Sequence, residues 1–354
     1  MKKILVITLG VFIILGCSKQ PSSEELKNIV ERYSEAGSLN GSVLIANKNE
    51  ILYKGAIGTA DLENDIMNKE STRFALGSVT KQFTAVAILM LQEKGMLSIE
   101  DKISKYLELP SYTNDVSIKN LLNHTSGISD YINKNVYLQP DSVYSFLLNQ
   151  NSLDFPVNTK HVYSNSGYFL LGEIIAKVSG MKYSDFMQEN IFDPLQMKNT
   201  WVNQGTEFDR AIAYTDKWEK NDYLMSTADG GILSNIEDLH LWNVALTNNK
   251  LISEKSKLLM FTPLELENGK DENYGFGWVI GHEGMSAFDY ITGMYKNKVS
   301  HTGWLASFGA YNQHDLKKGY YLIVLSNQIR PELMDLIVDL NRELYHYNYK
   351  FSKK

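Results

Sequence analysis

The pattern of apolar and polar residues near the start of the chain predicts a helix followed by a β-hairpin. Over residues 26–36, apolar side chains recur every three or four positions, as they do on the buried face of an amphipathic helix. Residues 41–58 then contain two runs of apolar and β-branched residues separated by the polar stretch NKNE. Two such runs around a short polar connection are typical of an antiparallel hairpin.

Helical periodicity dominates the middle of the chain, from about residue 74 to residue 261. Strand-like runs return after this section, and a last helix is predicted to begin after Pro331 and to end near residue 345. The predicted middle helices include residues 82–93, 142–148, 167–178 and 236–246, and the predicted late strands are residues 274–280, 296–303, 306–313 and 319–328.

Strands at both ends of the chain and helices between them predict an α/β fold of the α+β type. Consecutive strands usually lie close in space, so we expect one antiparallel sheet that is built from both chain ends and flanked by helices. The mostly helical middle would be an inserted domain, with the functional site in the cleft between the two. The expected boundaries are residues 26–73 together with 270–348 for the sheet domain and 74–269 for the helical domain.

The first residues of the chain, MKKILVITLGVFIILGC, are typical of an export signal. A basic start precedes an apolar stretch that is too short to span a bilayer as a mature helix. The stretch ends in LGC and resembles the lipobox of bacterial lipoproteins, which implies lipid on Cys17. We therefore predict a signal peptide at residues 1–16 and a polar tether at residues 17–25; a generic signal peptide with an incidental cysteine is the alternative.

This interpretation places the protein in the cell envelope, anchored to a membrane by lipid. In lipoprotein terms, Ser18 rather than Asp after the cysteine favours the periplasmic face of the outer membrane in a two-membrane bacterium. In other bacteria the expected place is the outer face of the plasma membrane. Cys17 is the only cysteine in the sequence, so no intrachain disulfide can form and core packing must hold the fold together.

Composition and charge exclude several classes of partner. With 44% hydrophobic and 21% charged residues the composition is that of an ordinary globular protein, and the net charge of −6 comes with no basic patch. Nucleic acid is therefore not an expected partner. His282 and Glu283 do not have metal-ligand spacing, and neither a phosphate-binding loop nor a G-x-S-x-G motif occurs, so we predict no metal and no cofactor.

The motif Ser-x-x-Lys occurs twice, and only one copy opens an apolar helix. Ser179 precedes Gly180 just after a predicted helix, so we interpret the copy formed by Ser179 and Lys182 as the end of that helix. The other copy, Ser78 and Lys81, opens a long apolar run. Ser78 is there either an N-cap that accepts a backbone hydrogen bond or a nucleophile with Lys81 as its base.

The nucleophile interpretation has a chemical basis. A serine hydroxyl is a weak nucleophile that needs a neighbouring base, and residues three apart lie on one face of a helix. Lys81 can serve as that base if burial lowers its pKa. The helix that follows is apolar on nearly every side, which favours burial of Lys81, and its N-terminus favours an oxyanion at the Ser78 N–H.

Two later motifs supply further polar groups. Tyr163 and Asn165 form a Tyr-x-Asn motif at the start of a predicted helix, where the phenol can relay a proton. His301, Thr302 and Gly303 end a predicted strand, and a glycine at that position lets a substrate backbone lie against the strand.

These three motifs, in this order, resemble those of the serine β-lactamase and penicillin-binding-protein family. The Tyr-x-Asn motif points to the class C-like branch, which includes DD-carboxypeptidases, D-aminopeptidases and esterases. The phrases LLNHTSGISDY at 121–131, ADGGILSNIEDLHLW at 228–242 and YGFGW at 274–278 are also similar to the family, and the resemblance covers about residues 41–327. It implies a β-lactamase/transpeptidase-like fold and a serine hydrolase that works through an acyl-enzyme.

The resemblance also implies a role for each motif residue. Ser78 would be the nucleophile, Lys81 the partner that shares its proton, and Tyr163 the general acid or base beside them. The backbone N–H groups of Ser78 and Trp304 would bind the oxyanion. The substrate-binding residues that the resemblance implies are Asn165, which would orient Lys81 and the substrate carbonyl, together with His301, Thr302, Gly303 and Trp304.

Two positions differ from the pattern of many relatives. His301 stands where many β-lactamases have a lysine, and a mostly neutral imidazole binds a substrate carboxylate less firmly than an ammonium does. Trp304 is bulky where many relatives have a small residue, so it affects the size of substrate that fits. Outside the motifs, we interpret His124 as a structural histidine bonded to nearby backbone and Asp229 as a turn residue.

We therefore expect a membrane-tethered serine hydrolase with a small peptide, amide or ester substrate. The cleaved bond would be an amide or peptide bond, such as that of a cell-wall peptide with D-residues, or a carboxylic ester. Two alternatives stay open. One is a true β-lactamase, and the other is a lipoprotein of this fold whose site is degenerate and serves only for binding.

Overall fold

The computed structural model describes residues 21–134, 140–204, 210–225, 227–281 and 297–345. Within these ranges no helix is both long and apolar enough to cross a bilayer. Cys17, His282 and Glu283, which carried predictions above, lie outside the described residues. The helices are α1 (Ser23–Glu35), α2 (Thr80–Glu93), α3 (Ile118–Leu122), α4 (Pro140–Leu148), α5 (Asn165–Ser179), α6 (Tyr183–Met187), α7 (Asp193–Leu195), α8 (Ile236–Thr247), α9 (Glu254–Met260) and α10 (Glu332–Tyr345). The strands are β1 (Gly41–Ala46), β2 (Ile51–Ile57), β3 (Thr59–Asp61), β4 (Ile66–Met67), β5 (Phe74–Ala75), β6 (Trp201–Val202), β7 (Ile232–Ser234), β8 (Leu264–Glu265), β9 (Asp271–Glu272), β10 (Val279–Ile280), β11 (Lys298–Leu305), β12 (Phe308–Asp315) and β13 (Tyr321–Ser326).

Six strands form one antiparallel sheet in the order β10-β11-β12-β13-β1-β2. The early hairpin formed by β1 and β2 pairs with the late strand β13, with Gly41 opposite Ser326 and Ala46 opposite Tyr321. The sheet is thus built from both ends of the chain, which confirms the predicted fold class. The residue boundaries of the two domains stay a prediction.

Both faces of the sheet are covered, because alternate side chains of a strand point to opposite faces. On one face, Val43 and Ile45 belong to a buried cluster with the apolar sides of α1 and α10. On the other face, Leu44 and Ala46 belong to the larger core that includes α2 and α8. As a result β1 and β13 are buried along their whole length.

Helix α2 lies at the centre of the helical part. All residues from 80 to 89 are buried, and Phe83 stacks on Trp242 of α8 with ring centroids 4.0 Å apart. The short strands β5, β7 and β6 form a small three-stranded sheet in the same part of the chain. The apolar character of α2 on nearly every side, read from the sequence, therefore corresponds to nearly complete burial.

The start of α2 excludes one of the two interpretations of Ser78. Ser78 lies in a 3₁₀ turn, Gly77–Val79, that leads into the helix. The N-cap of α2 is Val79, and no side-chain hydrogen bond caps the helix. The interpretation of Ser78 as an N-cap is therefore wrong, because the extra turn moves its hydroxyl away from the capping position.

The strand that was predicted at residues 274–280 is mostly a turn. Only β10 joins the sheet, since the Gly275 N–H donates to the Trp278 carbonyl and folds the preceding residues back. Gly277 has φ +75°, a left-handed conformation that favours glycine. A Cβ at Gly277 would lie 2.6 Å from the Lys81 carbonyl oxygen, so glycine is what lets this turn pack directly on α2.

Candidate active site

Ser78 is held where the 3₁₀ turn before α2 meets strand β11. Gly77 has φ +50°, and a Cβ at this residue would lie 2.8 Å from the Trp304 nitrogen. From the other side, a Cβ at Gly303 would lie 1.9 Å from the Leu76 carbonyl oxygen and 3.1 Å from the Ser78 nitrogen. The two backbones therefore touch, and this contact requires glycine at both positions.

The Lys81 ammonium group lies beneath Ser78 and is buried completely. Its Nζ is 2.8 Å from Asn165 Oδ1, 2.8 Å from the Asp229 carbonyl oxygen and 3.3 Å from Ser78 Oγ. Burial lowers the pKa of Lys81 to about 8, although the negative charges of Asp229 and Asp130 oppose the shift. Roughly a tenth of the molecules therefore carry a neutral Lys81 at pH 7.

The partners of Lys81 determine where the lone pair of the neutral amine points. Asn165 Oδ1 and the Asp229 carbonyl can only accept hydrogen bonds, so they take the two N–H groups of the amine. Ser78 Oγ, the third partner, is a hydroxyl and can donate. The lone pair of the neutral amine is thus directed at the Ser78 proton.

Asn165 is itself oriented by Asp130, a residue that the sequence analysis did not single out. The Asn165 side-chain nitrogen donates to Asp130 Oδ2 at 3.1 Å, and its backbone N–H donates to Asp130 Oδ1 at 3.2 Å. Burial raises the pKa of the Asp130 carboxyl group, and its hydrogen bonds to Asn165 partly oppose the rise. Because these bonds fix which end of the amide is oxygen, they direct Oδ1 toward Lys81.

Tyr163 forms a half-buried wall of the site next to Ser78. Its ring centroid is 4.9 Å from Lys81 Nζ, and its hydroxyl makes no hydrogen bond of ordinary geometry to a described residue. Burial raises the pKa of the Tyr163 hydroxyl, and the nearby Ser78 side chain lowers it in part. The phenol is therefore protonated at neutral pH, which suits a group that passes a proton on but not one that begins as an anion.

His301 is a neutral, fully engaged side chain on β11. Its Nδ1 is 2.6 Å from the Thr302 carbonyl oxygen, which can only accept, so Nδ1 carries the proton. Its Nε2 then accepts from the Tyr274 hydroxyl at 3.0 Å. Burial and the charge of Lys81 lower the pKa of His301 to about 4, so the ring is uncharged at neutral pH.

A cleft of about 470 Å³ opens above Ser78. It brings together five of the residues that the sequence singled out, while Lys81, Asn165 and Gly303 support its floor. The residues that line the cleft are Ser78, His161, Tyr163, Glu272, Asn273, Tyr274, Val279, His301, Thr302 and Trp304.

The second Ser-x-x-Lys motif does not form such an arrangement. The Ser179 hydroxyl donates to the Ile175 carbonyl at 2.6 Å, and the side chain of Lys182 is exposed. Gly180 follows as the C-cap of α5, with φ +72°. This motif is the end of a helix, as predicted.

Two polar residues near the site, His124 and Asp229, were interpreted from the sequence as structural. His124 accepts a hydrogen bond from the Ser164 backbone, as expected of a structural histidine. Asp229 lies in the predicted turn, but its carbonyl also binds Lys81 and its carboxylate accepts from Tyr131 at 2.7 Å.

Among the described residues no group of three or more His, Cys, Asp or Glu side chains is placed to hold a metal ion.

Two penicillin-binding proteins of known sequence are similar to this chain. Penicillin-binding protein 4* of Bacillus subtilis (strain 168) is 35% identical over 292 residues, which cover 74% of this chain and 64% of that protein. The chain thus spans less than two thirds of the length of this relative. The putative penicillin-binding protein PbpX of the same organism is 30% identical over 324 residues, covering 87% of this chain and 77% of that protein.

Solved structures share the fold. The crystal structure of a penicillin binding protein from Bacillus halodurans matches with a TM-score of 0.77 and 24% identity, over 88% of this chain and 97% of that chain. FmtA from Staphylococcus aureus matches with a TM-score of 0.74 and 20% identity, over 94% and 93% of the two chains. The sequence profile of the family described as Beta-lactamase matches residues 26–344. The chain therefore belongs to the Beta-lactamase family of serine hydrolases.

Proposed function

We propose that the protein is a membrane-tethered hydrolase that forms an acyl-enzyme on Ser78 and releases it with water. Its substrate would contain an amide or peptide bond, such as that of a cell-wall peptide with D-residues, or a carboxylic ester. The observation that carries the proposal is the buried Lys81. Its pKa of about 8 leaves part of the amine neutral at pH 7, and its two accepting partners direct the lone pair of that amine at Ser78 Oγ.

Acylation would begin with transfer of the Ser78 proton to neutral Lys81. Ser78 Oγ then attacks the substrate carbonyl carbon, and the oxyanion is bound by the backbone N–H groups of Ser78 and Trp304. As the tetrahedral intermediate collapses, the bond to the leaving group breaks and the leaving group takes a proton. That proton comes from the Lys81 ammonium by way of the Tyr163 hydroxyl.

Deacylation would use the same groups in reverse. A water molecule gives a proton to the path formed by Tyr163 and Lys81 while its oxygen attacks the acyl carbon. The ester bond to Ser78 Oγ breaks, Oγ regains its proton, and the carboxylic acid leaves. Two protein groups thus serve both halves of the reaction, with no net change in the enzyme.

Penicillin is a second candidate acyl donor, since two of the relatives found by sequence are named as penicillin-binding proteins. A β-lactam carries a carboxylate, and the neutral His301 offers it no charge. We therefore favour slow acylation by penicillin over efficient β-lactam hydrolysis.

Attachment to the membrane would occur through lipid on Cys17, at the cell-envelope locations given above. The support is the sequence pattern that ends in LGC, followed by a short polar stretch before α1 begins at Ser23. Cys17→Ser should release the protein from membranes in a fractionation experiment. Retention of the Cys17→Ser protein through an uncleaved N-terminus would contradict the lipobox interpretation.

The catalytic proposal is tested with a fluorophosphonate probe and a labelled penicillin, followed by mass spectrometry of the modified peptide. We expect fluorophosphonate on Ser78 in the wild-type chain and in Ser179→Ala, the matched control. Ser78→Ala should not be labelled although it stays folded. A folded wild-type chain that is labelled on another serine, or not at all, would refute the proposal and favour a binding lipoprotein.

A further inference from the structure

We infer that the cleft selects substrates with an apolar, uncharged group next to the scissile carbonyl, and that Trp304 is the residue that binds this group. The inference rests on the proposed acyl-enzyme at Ser78 and adds the substrate class to it. It depends on the exposure of one side chain, on its fixed position and on the charge of the cleft wall.

Trp304 exposes a large apolar side chain beside the nucleophile. The residue is 49% exposed, whereas its strand neighbour Leu305 is 5% exposed and Gly303 is buried. Thr302 and Trp304 are two residues apart, so they lie on the same face of β11, and both line the cleft. Covering the exposed part of the indole with an apolar group of a substrate is favourable because it removes both surfaces from water.

The position of Trp304 is fixed by the contact that forms the site. A Cβ at Gly77 would lie 2.8 Å from the Trp304 nitrogen, so the backbone of Trp304 packs directly on the turn that carries Ser78. A group bound by the indole is therefore held next to the Trp304 backbone N–H, which is one of the two proposed oxyanion donors. A contact surface whose backbone is anchored so close to the reacting carbonyl can contribute to orientation as well as to affinity.

The other described residues of the wall are apolar or uncharged, with one acidic exception. Tyr163, Tyr274 and Val279 contribute aromatic and aliphatic surface. Burial raises the pKa of both tyrosine hydroxyls, so they stay neutral. Of the described residues that line the cleft only Glu272 is charged, and it forms an ion pair of 2.6 Å with Lys270.

A substrate carboxylate would therefore lose its hydration in this cleft without gaining a cation from the described wall, because the Lys81 ammonium lies buried beneath Ser78 and is already bound by Asn165 and Asp229. His301, which occupies the position of a lysine in many relatives, has both ring nitrogens engaged and is uncharged. Burying an unpaired charge is costly, whereas an apolar group meets no such cost. The wall thus discriminates against acidic substrates as well as favouring apolar ones.

The experiment measures kcat/KM for two series of esters. In the first series, p-nitrophenyl esters increase in acyl length from acetate to octanoate. In the second series, acetate esters increase in the length of the leaving alcohol. Each methylene that Trp304 binds can raise kcat/KM by up to roughly fourfold. In Trp304→Ala we expect this rise to flatten in at least one series, so that kcat/KM falls about tenfold more for a long substrate than for acetate. The series that flattens identifies the side of the carbonyl that Trp304 contacts.

Trp218 provides the matched control. It is 38% exposed, packs beside Tyr214 and does not line the cleft, so Trp218→Ala should leave the length dependence unchanged. Trp304→Phe should keep part of the length dependence, because it retains an aromatic surface. If length dependence in Trp304→Ala equals that of the wild type in both series, the inference is wrong.

A charged substrate tests the second half of the inference. The mono-p-nitrophenyl ester of succinic acid should react with at least tenfold lower kcat/KM than the uncharged butyrate ester of similar length. Equal or faster hydrolysis of the acidic ester would overturn the inference. In either case fluorophosphonate labelling of Ser78 shows whether the acyl-enzyme proposal itself still holds, so the two failures are distinguishable.

Discussion

The imidazole of His124 binds the backbone of the residue that follows Tyr163. The Ser164 N–H donates to His124 Nδ1 at 3.1 Å, and the Val162 N–H donates to the His124 carbonyl at 3.0 Å. Tyr163 is thus held between two hydrogen bonds to one residue, and its ring packs on the imidazole with centroids 4.3 Å apart. His124 fixes the place of the phenol without lying in the cleft itself.

The first prediction is that His124→Ala lowers kcat about tenfold or more, with a smaller effect on KM, because Tyr163 loses its orientation. His124→Asn should recover part of the loss. Asn can accept from Ser164 and tolerates the left-handed backbone of this residue, whose φ is +60°. Steady-state kinetics and thermal melting of both variants check this. A folded His124→Ala protein with the kcat of the wild type would contradict the prediction.

The second prediction concerns the proton path. Ser78→Ala should abolish turnover, while Lys81→Ala and Tyr163→Phe should each lower kcat by about 10²- to 10⁴-fold, as general acid–base groups do. The double variant should lose less than the product of the two effects, because both groups serve one path. If the loss of kcat in the double variant equals the product of the two single losses, Lys81 and Tyr163 have separate roles.

The third prediction is a pH dependence. Burial lowers the pKa of Lys81 to about 8, and only the neutral amine can accept the Ser78 proton. The rate of Ser78 labelling by a neutral fluorophosphonate should therefore rise about tenfold from pH 7 to a plateau above pH 9. Tyr163→Phe should keep this inflection, since burial holds the phenol protonated over the same range. A rate independent of pH would exclude Lys81 as the base.

The fourth prediction is that His301→Lys changes selectivity. An ammonium group would replace a ring whose pKa is about 4, and the wall would gain a cation for a carboxylate. The ratio of kcat/KM for acidic over neutral esters should increase at least tenfold. The variant also removes the acceptor for the Tyr274 hydroxyl, so His301→Gln is the control for loss of the ring alone. If both variants change the ratio equally, charge is not the cause.

The regular elements were largely predictable because each has a strong local signal. The hairpin at residues 41–58 and the helices at 82–93 and 236–246 correspond to β1, β2, α2 and α8 within a few residues. Alternation and helical periodicity are local properties of the chain, so no tertiary information was needed. The turn at YGFGW was mistaken for a strand because aromatic residues favour strands, while the decisive feature is the close approach of Gly277 to α2.

The surroundings of the site were less predictable for a physical reason. One partner of Lys81 is the carbonyl of Asp229, and any residue type supplies such a carbonyl. Asp130 orients Asn165 across a long stretch of sequence, and no spacing rule connects the two. The motif residues themselves were visible because they combine unusual side chains in a fixed order, although their catalytic roles stay predictions.

The contact between Gly303 and the turn that carries Ser78 also determines when the protein can become active during its own synthesis. Ser78 is made early and the facing strand late, with the whole helical part of the chain between them. A nascent chain that ends at α9 contains Ser78, Lys81 and Tyr163 but has no β11, so one wall of the site does not yet exist. Contacts so distant in sequence form late in folding. On the proposed mechanism, hydrolysis therefore requires that β11 has been made and has paired with its neighbours in the sheet.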